Sequence, residues 1–522
     1  MKNIDIFPSR INFEKRDKPE AQNLQIQTYG RRIRRDQTFY EYLIEFLLVF
    51  IGEGKDTDKT GLDKIKDYDK RLYYRYKNNM GLKRFIFLEN SKKENRYDID
   101  EEANRELKQQ LLKNMEVDGV RADELLEIIR ELYLGFTAFS GDRGWFAKAL
   151  LPMCKDTIFP EAMGKVNFRK NLKLWECDAI NLEVDEEFEF NEHNFMARGG
   201  EVYFLHILQG LKEIEEIDVK EANLLKDEIN VRINNLINSF PQFREISQWI
   251  TSTWENYIFK KTNGEKLDKI ESKCMWISNN YRKRSIYTVK ELVNILRADI
   301  NEFDKYEILS LAIIIQILRM MSEAAAIIAT EGKEDHPLWG LHVNGSLNNK
   351  TKKLATELYK ILEENMMIAV AKMLVNYDEI KENRMGKKPP TQSSLLKDAY
   401  DDSYKLLRKL GKDIGFVIPI KGDNMRFTVT DDIVKFFVLA LVEPEKKVTL
   451  DTFLQKLYKN FGVIIGPKEY EEYLKYKRDI EDASYLQYNL DDFQLLLRKN
   501  GFLKELSDAT SIVINPYRKL EV

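Results

Sequence analysis

The residue types that active sites use are densest in "FMARGGEVYFLHIL", residues 195–208, where Arg198, Gly199, Gly200, Glu201 and His206 fall within nine positions. Two chemistries suit that set. A Gly-Gly pair just ahead of an apolar helix leaves backbone N–H groups free to hold an anion, with Arg198 adding charge. Glu192, His193, Glu201 and His206 offer metal-ligand types instead. Spacing weighs against the metal: five residues of helix turn through about 500°, so Glu201 and His206 point roughly 140° apart. A Walker loop is excluded, because no Gly-Lys-Ser/Thr follows. The plainer alternative is a joint: Gly-Gly permits a tight turn, Val202, Leu205 and Leu208 pack inward, and His206 is half-buried. An anion-binding turn at Arg198, Gly199 and Gly200 stays open beside it.

Positive charge is concentrated elsewhere. Arg31, Arg32, Arg34 and Arg35 sit beside Tyr29, Phe39 and Tyr40; guanidinium groups bind phosphates bidentately and aromatic rings stack on bases. Lys83 and Arg84, with Lys92, Lys93 and Arg96, extend that patch if the fold brings them near. The same arm could equally dock on a protein. Over the whole chain 83 basic and 86 acidic residues leave a net charge of −3, so nucleic acid has only local patches to bind.

Other constellations are thinner. "SGDRGWF" (140–146) places Asp142 and Arg143 where they cap or pair within a helix. Asp335, His336 and His342 have a spacing that could ligate a metal from a loop, but no further ligand lies nearby. Glu271-Ser272-Lys273 matches the Glu-x-Lys half of a nuclease pattern, in surroundings that look helical. No Gly-x-Ser-x-Gly occurs. Cys154, Cys177 and Cys274 are far apart and form no Cys-x-x-Cys, which argues for a reducing cytoplasm and against a disulfide framework or zinc site. No catalytic residue, metal or cofactor is expected. The first twenty residues lack the apolar core of a secretory signal. Residues 306–329 are long and apolar enough for a membrane span, but Arg319 and Glu323 lie inside, each costing about 2.5–3.5 kcal/mol at mid-bilayer. They read as a core helix, with no membrane partner.

The elements that must position these residues follow from periodicity and punctuation. Hydrophobic content of 43% and charged content of 32% describe a globular chain, and its 522 residues suffice for several domains. The fold class is mainly α and multidomain, with short β-hairpins. A helix capped by Asp36 runs to about 51, and a short strand covers 84–88. Helices follow over 101–115, 122–139, 199–211, 221–239, 243–260, 288–298, 306–329 and 350–377, with an acidic edge strand near 180–193. "KENRMGKKPPTQSS" (381–394) is the clearest linker. The resulting division is 1–215, mixed α/β with the basic arm; 216–385, all-α; and 391–522.

The last of these begins with a helix over 395–410 and a hairpin turning at Gly422-Asp423-Asn424. Helices at 431–441, 450–460 and 491–500 precede strands at 502–506 and 511–514, the order of a winged helix. Phe436, Leu439, Phe453, Leu457, Leu495, Leu496 and Ile512 are its expected core. Gln494, Arg498, Lys499 and Lys504 are the candidate nucleic-acid contacts, against Asp491 and Asp492, which repel phosphates.

"FGVIIGP" followed by "LLRKNGFLKELSDATSIVINPY" resembles the winged-helix tails of uncharacterised subunits of bacterial antiphage defence systems linked to DNA modification. The resemblance covers roughly the last 80 residues and carries no catalytic motif. It implies a DNA-directed multiprotein complex. Together these features lead us to expect a cytoplasmic, non-catalytic structural or DNA-associated subunit, placed against DNA or against partner subunits that include an ATPase or nuclease. The alternative is a metal-dependent nuclease or other enzyme using scattered carboxylates such as Asp142, Glu192 and Glu201.

Overall fold

The computed structural model describes residues 7, 24–35, 37–54, 59–64, 72–76, 80–94, 97–115, 121–135, 153–159, 198–261, 270–274, 284–334, 336–343, 349–378, 390–478, 481–505 and 511–521, and there the chain is mainly helical with short strands. Compactness divides it into two units, each discontinuous in sequence, where three consecutive domains were expected. One comprises Met1–Arg35, Val202–Arg232 and Trp276–Val522; the other comprises Asp36–Glu201 and Ile233–Met275.

The larger unit is built around one helix, Glu302–Ala329. Asn301 caps it by accepting from the Asp304 N–H at 2.9 Å, and from Lys305 to Ile328 only Glu307 is exposed. A helix apolar on every side must be covered on every side. Helices Asn349–Lys372, Leu24–Tyr29, Ser285–Arg297, Tyr404–Asp413 and Asp431–Leu441 supply that cover. By length and composition the central helix could cross a membrane, and 94% of its most apolar window is buried inside the protein. Helix Gly199–Glu215 runs so close to Ser285 that a Cβ on Gly210 would lie 2.3 Å from the Ser285 carbonyl oxygen.

The C-terminal part belongs to this same unit. The expected helix over 395–410 is broken into Gln392–Asp401 and Tyr404–Asp413. The hairpin pairs Val417 with Phe427 and turns through Gly422 and Asn424, both at positive φ. Beyond it come helix Asp431–Leu441, strand Lys447–Thr449, helix Leu450–Phe461, helix Pro467–Lys477, helix Leu486–Lys499 and strands Leu503–Glu505 and Ser511–Ile514. Thr430 and Thr449 cap the helices that follow them. Ser511–Ile514 is the middle strand of an antiparallel sheet, paired with Lys447–Thr449 on one side and Leu503–Glu505 on the other. Helix Pro467–Lys477, which carries Tyr470, Tyr473 and Tyr476, was not expected.

The second unit gathers Leu82, Phe85, Ile86, Leu107, Leu126 and Trp254 into one core. Its first helix, Phe39–Ile51, is preceded by Thr38 rather than Asp36 as cap; the Thr38 N–H donates to the Glu41 carboxylate at 2.6 Å. The expected strand at 84–88 is instead the helix Met80–Phe87, because Leu82, Phe85 and Ile86 follow helical spacing on a buried face. A three-stranded antiparallel sheet orders Glu53–Gly54, Leu72–Tyr76 and Ile270–Cys274. Thus Glu271-Ser272-Lys273 lies on a strand, not in helical surroundings, with Glu271 opposite Arg75. The acidic stretch at 180–193, the linker at 381–389, Asp142, Glu192, His193, Asp335 and Arg96 lie outside the described residues.

Candidate functional site

Helix Leu486–Lys499 buries Leu486, Asn489, Phe493 and Leu497, a spacing of three and four residues. The core therefore takes Phe493 and Leu497 where Leu495 and Leu496 were expected, and on the last strand Val513 is buried while Ile512 is half-buried. Phe436, Leu439, Phe453 and Leu457 are core residues as expected. Asn489 fixes the helix by accepting from the Val343 N–H at 3.0 Å and donating to the Leu341 and Ile465 carbonyls, both at 2.9 Å. What faces out is Tyr488, 68% exposed, and Leu495, 46% exposed. Seven residues apart, they share one side of the helix, with Asp491 exposed between them. Of the expected nucleic-acid contacts here, Gln494 accepts from the Ser511 hydroxyl at 3.3 Å, and Arg498 is paired with Glu505. Lys499 and Lys504 are exposed.

The arginine cluster is seated rather than free. Arg31 is 2% exposed and donates to the Gly30 carbonyl at 2.7 Å. Arg32 donates to Asp402 at 2.9 Å, and Arg35 lies 3.3 Å from Asp401. Arg34 is half-buried. The Tyr29 hydroxyl bonds to Ser403, so this segment clasps the break between helices Gln392–Asp401 and Tyr404–Asp413. Burial raises the Asp402 carboxyl pKa, with Arg32 opposing it. Much of the local field is spent inside the protein.

Lys83 and Arg84, expected to extend that patch, are interior. Both are fully buried in the second unit; the Lys83 ammonium lies 5.1 Å from the Phe159 ring centroid and the Arg84 guanidinium 5.0 Å from that of Trp254. Aromatic faces hold these cations, leaving neither on a surface.

The Gly-Gly turn does hold an anion, and the anion is the chain's own. The Arg198 N–H donates to one oxygen of Glu45 at 2.8 Å, and the Gly200 N–H to the other at 2.9 Å. Arg198 adopts φ 63° to make the turn, and its guanidinium lies 3.9 Å from buried Glu201. A Cβ on Gly200 would stand 2.3 Å from the Tyr42 carbonyl oxygen, so glycine serves close packing there. Glu45 fills the site that the helix N-terminus offers.

A second polar centre had no sequence signal of its own. In the larger unit Glu291 receives hydrogen bonds from Gln316 at 2.5 Å and Asn460 at 3.1 Å. Arg319 donates to the Asn460 carbonyl and stands 5.5 Å from the Phe461 ring. Burial pushes the Glu291 carboxyl up to about 7, with Arg319 opposing it. His206, fully buried against Phe7, is held well below its ordinary pKa by burial and by Arg319, and so stays neutral; half-burial had been expected. Glu291 and Asn460 also line a cleft of about 600 Å³, whose lining includes Lys220, Lys290, Arg297 and Glu443. A carboxyl poised near neutrality can accept or give up a proton. Among the described residues no group of three His, Cys, Asp or Glu is arranged to hold a metal ion.

No protein-family model, curated protein or solved structure matches the chain.

Proposed function

We propose that this protein is a non-catalytic docking subunit of a multiprotein complex, and that residues 430–517 are a winged helix used for protein rather than DNA contact. The order helix, strand, helix, helix, strand, strand, with the last strand central in its sheet, supports the winged-helix assignment. The extra helix Pro467–Lys477 is then an insertion between the second and third helices of the motif.

One observation carries the choice of partner: the outward side of helix Leu486–Lys499 presents Tyr488 and Leu495 with Asp491 between them. A helix that reads a groove offers cations and amides to phosphates and base edges. Here Arg498 is neutralised by Glu505 and Gln494 is bonded to Ser511. An aromatic and an aliphatic residue exposed on one helix side suit the desolvated centre of a protein interface. The resemblance of the tail to defence-system subunits supports the same setting, a cytoplasmic assembly in which another subunit, an ATPase or nuclease, performs the chemistry.

The test is to purify the full chain from its native host, alongside the Tyr488→Glu/Leu495→Glu variant. Specific co-purifying subunits should be lost from the variant, which should melt at the wild-type temperature. Duplex DNA titrated at several salt concentrations should show only weak binding. Tight duplex binding whose salt slope falls by about one per cation in Lys499→Gln and Lys504→Gln would assign the helix to DNA instead.

A further inference from the structure

A cavity of about 260 Å³ in the larger unit has walls of a kind none of the other sites share. Its lining includes His336, Tyr458, Tyr473 and Tyr476, together with the buried Leu338, Leu358 and Leu362. His336 is fixed there: its Nε2 lies 3.2 Å from the Tyr458 carbonyl oxygen, and its ring meets Tyr458 edge-on at 5.4 Å. Tyr476 is 72% exposed. Such walls offer π-faces and leucine contact to a flat ring.

The polar groups narrow the ligand further. Glu334 and Lys477 also line the cavity, but they pair with one another, so the lining has no net charge to meet an ionised ligand. Asn365 is half-buried, and among the described residues its side-chain amide makes no hydrogen bond. Its amide carries a donor and an acceptor side by side. A purely apolar occupant would take that amide out of water unpaired, at a cost. A purine of the adenine type presents the complementary edge, with N7 accepting and the exocyclic amine donating, and its flat faces suit the tyrosines. The rings of Phe, Tyr and Trp side chains have no such edge.

We infer that this cavity binds an adenine-type purine ring, stacked on Tyr476 and read along its edge by Asn365. The ring can come from a free nucleoside or nucleotide, or from an unpaired base of a nucleic-acid strand; the recognition is the same. None of these residues belongs to helix Leu486–Lys499, so the inference does not rest on the docking proposal.

Adenosine and uridine are titrated against the full chain, followed by ligand-observed NMR, and a deoxyadenylate oligonucleotide is then added as competitor. Saturable binding that prefers adenosine is expected. Tyr476→Ala, at an exposed position, should weaken it about tenfold or more through lost stacking. Asn365→Leu should weaken adenosine and uridine together, since uracil also sets a donor beside an acceptor, and should leave the preference for the larger purine face. Displacement of adenosine by the oligonucleotide at a lower base concentration assigns the ring to a strand; displacement only at a higher concentration assigns it to the free nucleoside. The inference is overturned if adenosine shows no saturable binding up to about 10 mM. It is likewise overturned if Tyr476→Ala leaves the affinity unchanged, or if N-acetyltryptophanamide binds more tightly than adenosine, which would make the cavity a pocket for a partner's side chain.

Discussion

A carboxyl group removed from water keeps its proton more tightly than an exposed one, and Glu291 is in that position. Gln316 and Asn460 bond to it, Arg319 and Arg284 favour its anion, Tyr203 and His206 share its surroundings, and burial still outweighs them, raising it from 4.5 to about 7. The unfolded chain gives up this proton near 4.5, the folded protein only near 7. Between those values the folded state binds more protons, so stability falls as pH rises through the window and is flat above it. A shift of this size corresponds to something on the order of 3 kcal/mol. Glu291→Gln should remove that part of the decline, and urea unfolding at pH 5 and pH 8 compares the two slopes. Equal slopes in variant and wild type would show that Glu291 titrates as an ordinary carboxylate. His206 works in the opposite sense: its lowered pKa adds stability above its ordinary value of 6.5 that is lost as pH falls. In the sequence Arg319 stood out as a charge inside an apolar run. Glu291 did not, because helix Ser285–Arg297 places Lys290 and Glu291 side by side and nothing local says which charge is turned inward.

At the scale of elements the sequence was most legible where a cap and a period agree. Thr449 precedes a regular apolar repeat, and helix Leu450–Phe461 begins where that cap places it; helix Asp431–Leu441 has its expected bounds, with Thr430 as the cap the structure adds. Helix Leu486–Lys499 was expected only from 491 onward, and its inward side was misjudged. "FQLLLRK" offers Leu495, Leu496 and Leu497 in succession, and a run of three leucines does not fix a helical phase. Phe493 four residues earlier does, selecting Leu497. Leu497→Ala in the full chain should cost about 2–5 kcal/mol, as expected for a fully buried leucine. Leu495→Ala should change stability by no more than about 0.5 kcal/mol. Thermal melts of both variants decide the matter; a large loss from Leu495→Ala would turn the helix by half a revolution and remove the exposed side from which partner docking is argued. The strand at Ile270–Cys274 was missed for a related reason. A five-residue segment whose pairing partner, Leu72–Tyr76, lies about two hundred residues away has no local signature.

For the molecule as a whole, the linker at 381–394 suggested an independent C-terminal domain, a reading drawn from Pro, Gly and basic residues alone. Composition reports where a chain is polar; it does not report what the segments on either side bury. The described residues beyond it share the core of the larger unit. Helix Asp431–Leu441 packs on both Ser285–Arg297 and Glu302–Ala329. Asn294 donates to the Ala440 carbonyl at 2.9 Å, the Arg319 guanidinium reaches the Asn460 carbonyl, and the Leu520 N–H donates to the Arg297 carbonyl at 2.8 Å. A chain ending at Pro390 would therefore strip cover from a helix whose isoleucines and leucines are apolar all round, and would take from Arg319 the Asn460 carbonyl to which it donates. The expected result is a product that binds a hydrophobic dye, associates on sizing, and loses the cooperative melt of the full chain. The matching C-terminal piece, beginning at Thr391, should fail to fold for the same reason, since Phe436, Phe437 and Phe461 lose the surface they pack against. If instead both pieces are monomeric and melt cooperatively, the tail is a separate domain and the shared core is not needed for its fold. The interface that holds Tyr488 and Leu495 outward would then have to be argued within residues 391–522 alone.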